Sequence, residues 1–164
     1  MPAFDVPDND VIDRATGLVP GDALHSARRF RAKVVEATEA SHDALLQQPV
    51  AGVSTADRLR IAAHVCTVAG AATLARHYEQ LLSAASARDA PSSSPALPAM
   101  LAFAATLTTG PRGGDRAALE RLHEAGLGDA AIVALAQLVA FLSYQLRVVA
   151  GLRAMRAGTQ EAAR

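Results

Sequence analysis

Hydrophobic residues recur along most of this chain at intervals of three and four, the spacing of one face of an α-helix. No stretch of useful length alternates between apolar and polar residues as a β-strand does. Capping and turn residues divide the helical pattern into separate segments. The sequence therefore predicts an all-α protein, a bundle of about six or seven helices.

Most of the predicted helices begin at a residue that can cap the first turn. Asp10 precedes a short helix, and Asp22 precedes a longer one that runs to about Gln48. The sequence 54–57 resembles a capping box and opens a helix to about residue 87. The remaining predicted helices cover about residues 98–109, 115–125 and 129–157, with Asp115 and Asp129 as caps, a surface connection at 88–98 and a glycine-rich turn at 110–114.

The length of 164 residues predicts one domain. We assign residues 1–21 to an N-terminal arm with a short helix, residues 22–157 to a single helical domain and residues 158–164 to a mobile tail; residues 1–9 also look mobile. Apolar residues make up 51% of the chain but aromatic residues only 4%. Alanine and leucine dominate, which favours helices that pack closely through small side chains.

The last predicted helix has a central segment, residues 130–146, without any charged residue. Such a helix is buried either in protein or in a membrane. The segment is close to the minimum length that crosses a bilayer, and no second hydrophobic segment accompanies it. We therefore expect a core or subunit-interface helix and no membrane, with membrane association as the alternative.

The charges of the chain limit its partners and its location. Sixteen basic and sixteen acidic residues cancel, so we expect no nucleic-acid partner. A net charge near zero fits a surface partly hidden by self-association, and we expect a homo-oligomer, a dimer or larger. The acidic N-terminal segment is unlike a signal peptide, which predicts a cytoplasmic protein.

Cys66 is the only cysteine, which excludes an internal disulfide bond and a multi-cysteine metal site. Phosphate-binding loops, nucleophile elbows and metal-binding histidine spacings are also absent from the sequence, so we predict no metal and no cofactor. Cys66 and His64 lie in an apolar run and are expected in a core or interface. Three further histidines lie among charged residues and are expected in solvent: His25, His42 and His123.

Three segments, taken in order, resemble a known superfamily. Residues 54–82 form the capped helix that includes Ala-Arg-His-Tyr at 75–78. Residues 101–108 read LAFAATLT and are followed by LERLHEAGLGDAAI at 119–132, and residues 137–152 read QLVAFLSYQLRVVAGL. Together these segments resemble the carboxymuconolactone decarboxylase superfamily, which includes alkylhydroperoxidase-D-like proteins. The resemblance covers about residues 54–155 and implies the helical bundle of that family.

The peroxidase members of this superfamily carry a glutamate, a Cys-x-x-Cys pair and, three residues later, a histidine. In this chain the cysteine positions hold Ala71 and Leu74, the glutamate position is about Leu59, and only His77 remains. The resemblance therefore implies a peroxidase-related protein with a degenerate redox site and without thiol peroxidase activity. Decarboxylase members also lack the cysteines, so catalysis stays open, with His77 as the candidate acid, base or ligand anchor.

Three polar residues of the last helix are candidate binding residues: Gln137, Gln145 and Arg147. Buried polar side chains usually have partners, and Arg147 could bind the carboxylate of a small anionic ligand bidentately. The other interpretation is a salt bridge or polar network between subunits. Two functions thus remain: acid–base activity on, or binding of, a small organic acid, or a non-catalytic subunit that packs with itself or with a related cysteine-bearing subunit.

Overall fold

The structure is a computed structural model that describes residues 10–50, 52–86 and 93–162, with side chains up to residue 159. Regular structure within these residues is entirely helical, which confirms the all-α prediction. The helices are α1 (Val11–Thr16), α2 (Ala23–Arg29), α3 (Ala32–Leu46), α4 (Thr55–Val68), α5 (Ala72–Ser86), α6 (Leu97–Thr109), α7 (Arg116–Glu124) and α8 (Asp129–Ala162), with a 3-10 turn at Pro111–Gly113. The predicted mobile segment 1–9 and residues 88–92 of the predicted connection lie outside the described residues.

Two predicted helices are each broken into a pair, so the described residues form eight α-helices rather than six or seven. The predicted helix 22–48 breaks at Phe30 and Arg31, between α2 and α3. The predicted helix 54–87 breaks after Val68, where Gly70 has a φ of 70°, a left-handed conformation that glycine adopts without strain. At the other end of the chain α8 continues to Ala162, so residues 158–162 of the predicted tail are helical.

Two of the predicted caps are present, at Ser54 and Asp115, and Asp10 caps the short helix that was predicted to start near it. Asp10 accepts hydrogen bonds from two backbone N–H groups in the first turn of α1, each at 2.9 Å. The Ser54 hydroxyl accepts from the Asp57 N–H at 3.1 Å and donates to the Asp57 carboxylate at 2.9 Å. Asp115 accepts from the N–H of Ala118 at 3.0 Å. The helix starts inferred from short polar residues are thus confirmed at α1, α4 and α7.

The predicted caps at Asp22 and Asp129 are wrong in detail. Asp22 occupies the cap position of α2, but its carboxylate accepts from the preceding Val19 N–H at 3.2 Å. Asp129 is the first residue of α8, and the Gly128 carbonyl accepts the first helical hydrogen bonds. A carboxylate in the first turn of α8 still favours the helix through its dipole.

The core lies between α4 and α8. Helix α4 packs against α5, α6 and α8, and α8 also contacts α1, α3 and α6. Ile61 and Cys66 of α4 are fully buried, as are Leu138 and Leu142 of α8. Burial of each leucine side chain contributes about 1.5–3 kcal/mol. Cys66 is therefore a small core residue, as predicted.

Helix α8, which the sequence predicted as a core or subunit-interface helix, is covered on one side only. It is long and apolar enough to cross a membrane by length and composition, a test that the core helix of a soluble protein also passes. About 39% of its most apolar window is buried inside the protein. The opposite face carries exposed side chains, among them Val133 and Tyr144. The chain itself therefore leaves half of this helix uncovered.

Candidate functional site

His77 lies on α5 with its ring partly exposed but its Nε2 atom buried. Within the described part of the chain this nitrogen has no hydrogen-bond partner. The next residue, Tyr78, is fully buried, and its hydroxyl donates to Oε1 of Gln145 at 2.7 Å. Two of the predicted site residues, His77 and Gln145, are thus brought together through Tyr78.

His42 of α3 joins this site, so its predicted exposure to solvent is wrong. It is 8% exposed and stacks on the Tyr78 ring, with ring centroids 6.3 Å apart. His77 meets the same tyrosine ring edge-on at 5.1 Å. Nε2 of His42 is also buried without a hydrogen-bond partner in the described residues. The signal in the sequence was the spacing of His42 from Val35 and Leu46, which places all three on the buried face of α3.

The two histidines are held in their neutral form. Burial is the main cause that lowers the pKa of His77 to about 4, and the nearby charges of Arg14 and His42 contribute to the same shift. Burial also lowers the pKa of His42, against the opposing effect of the neighbouring Asp43 carboxylate. Oδ1 of Asp43 lies 3.5 Å from Nδ1 of His42, so a proton on Nδ1 leaves Nε2 as an acceptor. At neutral pH both rings can accept a hydrogen bond or a proton.

The positions that correspond to the family's redox residues carry no thiol. Ala71 directly precedes α5 and Leu74 lies in its first turn, where the Leu74 side chain is 1% exposed. Cys66 is fully buried, and burial raises its pKa to about 12. A cysteine in this setting is protonated at neutral pH and shielded from peroxide.

The structure does not bring the other two predicted binding residues to His77. Gln137 and Arg147 are exposed on α8, and Arg147 donates to the Ser143 carbonyl of its own helix at 3.3 Å. The positive charge that acts on both histidines belongs to Arg14 of α1, which the sequence analysis missed. The local sequence could not show this, because α1 and α5 are far apart in the chain and come near each other only in the folded protein.

A second buried polar cluster lies between α1 and α2 and has all its acids paired. Arg28 donates to Asp10 at 2.6 Å and to Asp13 at 2.7 Å, and Arg29 donates to Asp13 at 2.7 Å. His25 is 8% exposed, with its Nε2 3.7 Å from an Asp13 oxygen, so its predicted exposure to solvent is also wrong. His123, by contrast, is exposed as predicted. Among the described side chains no group of three or more metal-ligating residues is placed to hold a metal ion.

Two crystal structures share this arrangement of helices. One is an uncharacterized peroxidase-related protein from a Silicibacter species, 24% identical, with 92% of this chain and 88% of that chain covered at a TM-score of 0.57. The other is an alkylhydroperoxidase AhpD core, an uncharacterized peroxidase-related protein from Ralstonia eutropha, also 24% identical, with 85% of this chain and 78% of that chain covered at 0.56. No protein-family model matches the sequence, and no curated protein matches it at a significant level. The resemblance seen in the sequence is therefore confirmed at the level of architecture: this chain has the alkylhydroperoxidase-D-like fold.

Proposed function

We propose that this chain is a peroxidase-related, alkylhydroperoxidase-D-like protein that has no thiol peroxidase activity and binds a small organic acid at His77. The observation that supports it most is the buried Nε2 atom of His77, which lacks a hydrogen-bond partner beside the similar Nε2 of His42. A buried polar atom without a partner costs about 1–3 kcal/mol. A ligand that donates a hydrogen bond to these nitrogens would remove that cost.

The cysteine chemistry of the family does not suit this chain. A thiol peroxidase needs an accessible thiolate and a second thiol that resolves the oxidised form. Cys66 is buried, its pKa is raised to about 12, and the chain has no second cysteine. The two structural neighbours are described as peroxidase-related. Their similarity to this chain supports a shared fold and does not show a shared activity.

The charge of Arg14 favours an anionic ligand, whereas the Asp43 carboxylate beside His42 acts in the opposite sense. The positive charge of Arg14 acts on both rings and would attract a carboxylate. Neutral His77 can then accept a hydrogen bond or a proton from a second group of the ligand, such as a hydroxyl, which is the role of a general base. Gln145 takes part indirectly, since it holds the Tyr78 ring against which His77 packs. Gln137 and Arg147 stay predicted binding residues.

A thermal-shift screen of small carboxylic acids and lactones tests the proposal. The proteins are the wild type, His77→Gln, Arg14→Gln and Arg147→Gln, with His123→Gln as a matched control at an exposed histidine. We expect a ligand that raises the Tm of the wild type and of the control, but not of His77→Gln, and raises that of Arg14→Gln less. A shift that survives His77→Gln would place the site elsewhere. The absence of any shift would favour the alternative function described below.

A peroxide-consumption assay tests the redox part separately. Wild type and Cys66→Ser are mixed with hydrogen peroxide or an alkyl hydroperoxide in the presence of a dithiol reductant. We expect both proteins to consume peroxide at the rate of buffer alone, because the Cys66 thiol is buried and protonated. Rapid consumption by the wild type that Cys66→Ser abolishes would overturn this part of the proposal.

The alternative function is a non-catalytic subunit that packs with itself or with a related cysteine-bearing subunit. The uncovered face of α8 favours it, since this face holds Val133 and Tyr144 in solvent. A cytoplasmic location without membrane attachment stays an expectation in both cases. Purification without detergent, as a particle of defined mass, is the result we expect; recovery only with detergent would contradict it.

A further inference from the structure

One face of α8 is exposed at regularly spaced positions; six of them lie between residues 130 and 147, and the series continues at Gly151 and Ala154. The residues of this face, here named the α8 stripe, are Ala130, Val133, Gln137, Ala140, Tyr144 and Arg147. Their spacings are three, four, three, four and three, the spacing of the contact seam in a coiled coil. Val133 is 55% exposed and Tyr144 is 40% exposed. The stripe thus has the pattern of a helix-packing surface. Among the described residues the Tyr144 hydroxyl shares a hydrogen bond with Thr38 Oγ1 of α3 at 3.2 Å, but the side chains of the stripe remain exposed.

The order of these spacings is the same in both directions along the helix. The centre of the stripe falls between Leu138 and Val139, so a second α8 that runs antiparallel about a twofold axis at this point would match it position by position. Val133 would lie opposite the partner's Tyr144, and Gln137 opposite the partner's Ala140. This is the self-complementary geometry of a twofold interface, in which the same patch serves on both subunits.

The charges at the two ends of the stripe select the antiparallel direction. Asp129 lies four residues before Val133 on the same side of the helix, and its side chain is 94% exposed. In an antiparallel pair each Asp129 lies opposite the partner's Arg147, whereas a parallel pair would bring like charges together. No charged residue lies between positions 129 and 147, so the pairing buries no charge along its length.

We propose that two copies of this chain associate through the α8 stripe, as antiparallel helices with an Asp129–Arg147 ion pair at each end. The contact would run about 27 Å along each helix, at 1.5 Å per residue. Ala130 and Ala140 are small enough to let the helices approach closely. This pairing does not depend on a ligand at His77, and it supplies the interface for the homo-oligomer expected from the sequence.

Charge reversal tests the pairing. Sedimentation velocity is recorded for the wild type, Asp129→Arg, Arg147→Asp and the double variant that carries both changes. We expect the wild type to be a dimer, each single variant to dissociate at least about tenfold more readily because like charges then face each other twice, and the double variant to dimerise again. A 1:1 mixture of the two single variants should also form dimers, because each Asp of one chain then faces an Arg of the other.

Matched controls come from α7, where Arg116 and Glu120 form an exposed ion pair on another surface. Arg116→Asp and Glu120→Arg should leave the dimer unchanged, and circular dichroism verifies that every variant is folded. A wild type that stays monomeric at about 100 μM would overturn the proposal, whether or not it binds lipid vesicles. Single variants that dimerise as tightly as the wild type, or a double variant that does not recover, would also overturn it.

Discussion

Two of the buried polar clusters among the described residues differ in one respect that separates structure from function. Between α1 and α2, Asp10 and Asp13 are 1% and 0% exposed, and arginine side chains pair both carboxylates. Around Tyr78, the Nε2 atoms of His42 and His77 are buried without a hydrogen-bond partner in the described residues. A paired cluster holds helices together. A substitution in an unpaired cluster costs little stability, and a ligand that supplies the missing hydrogen bonds stabilises it.

The paired cluster carries the largest expected effect. Asp13→Ala removes the carboxylate that Arg28 and Arg29 share, which leaves two buried cations with less compensation. We expect a loss of about 3–5 kcal/mol in the free energy of unfolding, measured by urea denaturation. Glu124→Ala, at an exposed position of α7, is the control and should change it by less than about 0.5 kcal/mol. A loss below about 1 kcal/mol for Asp13→Ala would mean that the paired cluster does not hold α1 to α2.

The hydrogen bond next to the histidines has the second largest expected effect. Tyr78→Phe removes the donor to Gln145 and leaves a buried amide oxygen unpartnered, so we expect a loss of about 1–3 kcal/mol in the free energy of unfolding. The double variant Tyr78→Phe, Gln145→Leu should be more stable than the single one, because no unpartnered oxygen remains. If the double variant is the less stable of the two, packing around Tyr78 matters more than its hydrogen bond.

The pH dependence of stability is the third test. The pKa of His77 is lowered to about 4 in the folded chain, from 6.5. Between these values the unfolded chain binds a proton that the folded chain does not, so acidification favours unfolding. Because His77 is partly exposed, we expect wild type to lose only about 1 kcal/mol more than His77→Gln between pH 7 and pH 5. Urea denaturation at both pH values measures this, and equal losses in the two proteins would contradict the lowered pKa.

The substitution His42→Leu has the smallest expected effect on stability, and this effect can be opposite in sign to that of Asp13→Ala. His42→Leu replaces a buried ring nitrogen that has no partner with an apolar side chain of similar size, so we expect stability to stay within about 1 kcal/mol or to rise. The same change should weaken any ligand that stabilises the wild type through His77. A loss as large as that of Asp13→Ala would show that His42 has a structural partner, and the contrast between the clusters would disappear.

Local residue patterns were enough to predict the fold class and several of the helix boundaries. The caps at Asp10, Ser54 and Asp115 are short-range hydrogen bonds between residues two or three apart, so the sequence contains all that determines them. The breaks at Phe30 and Gly70 were missed, since no proline marks either position. A helix pattern is necessary for a helix but does not show where the chain turns to pack.

The sequence by itself determined that this protein is helical and that it has one cysteine, so that no Cys-x-x-Cys pair is present, because these are properties of local pattern and composition. It also singled out His77. Only the tertiary structure decided that His42 and Arg14 act on the same site and that Arg147 faces solvent. Charged neighbours in the sequence suggested that His42 is exposed, but burial depends on which face of a helix meets another helix, and that choice is made by contacts between residues far apart in the chain.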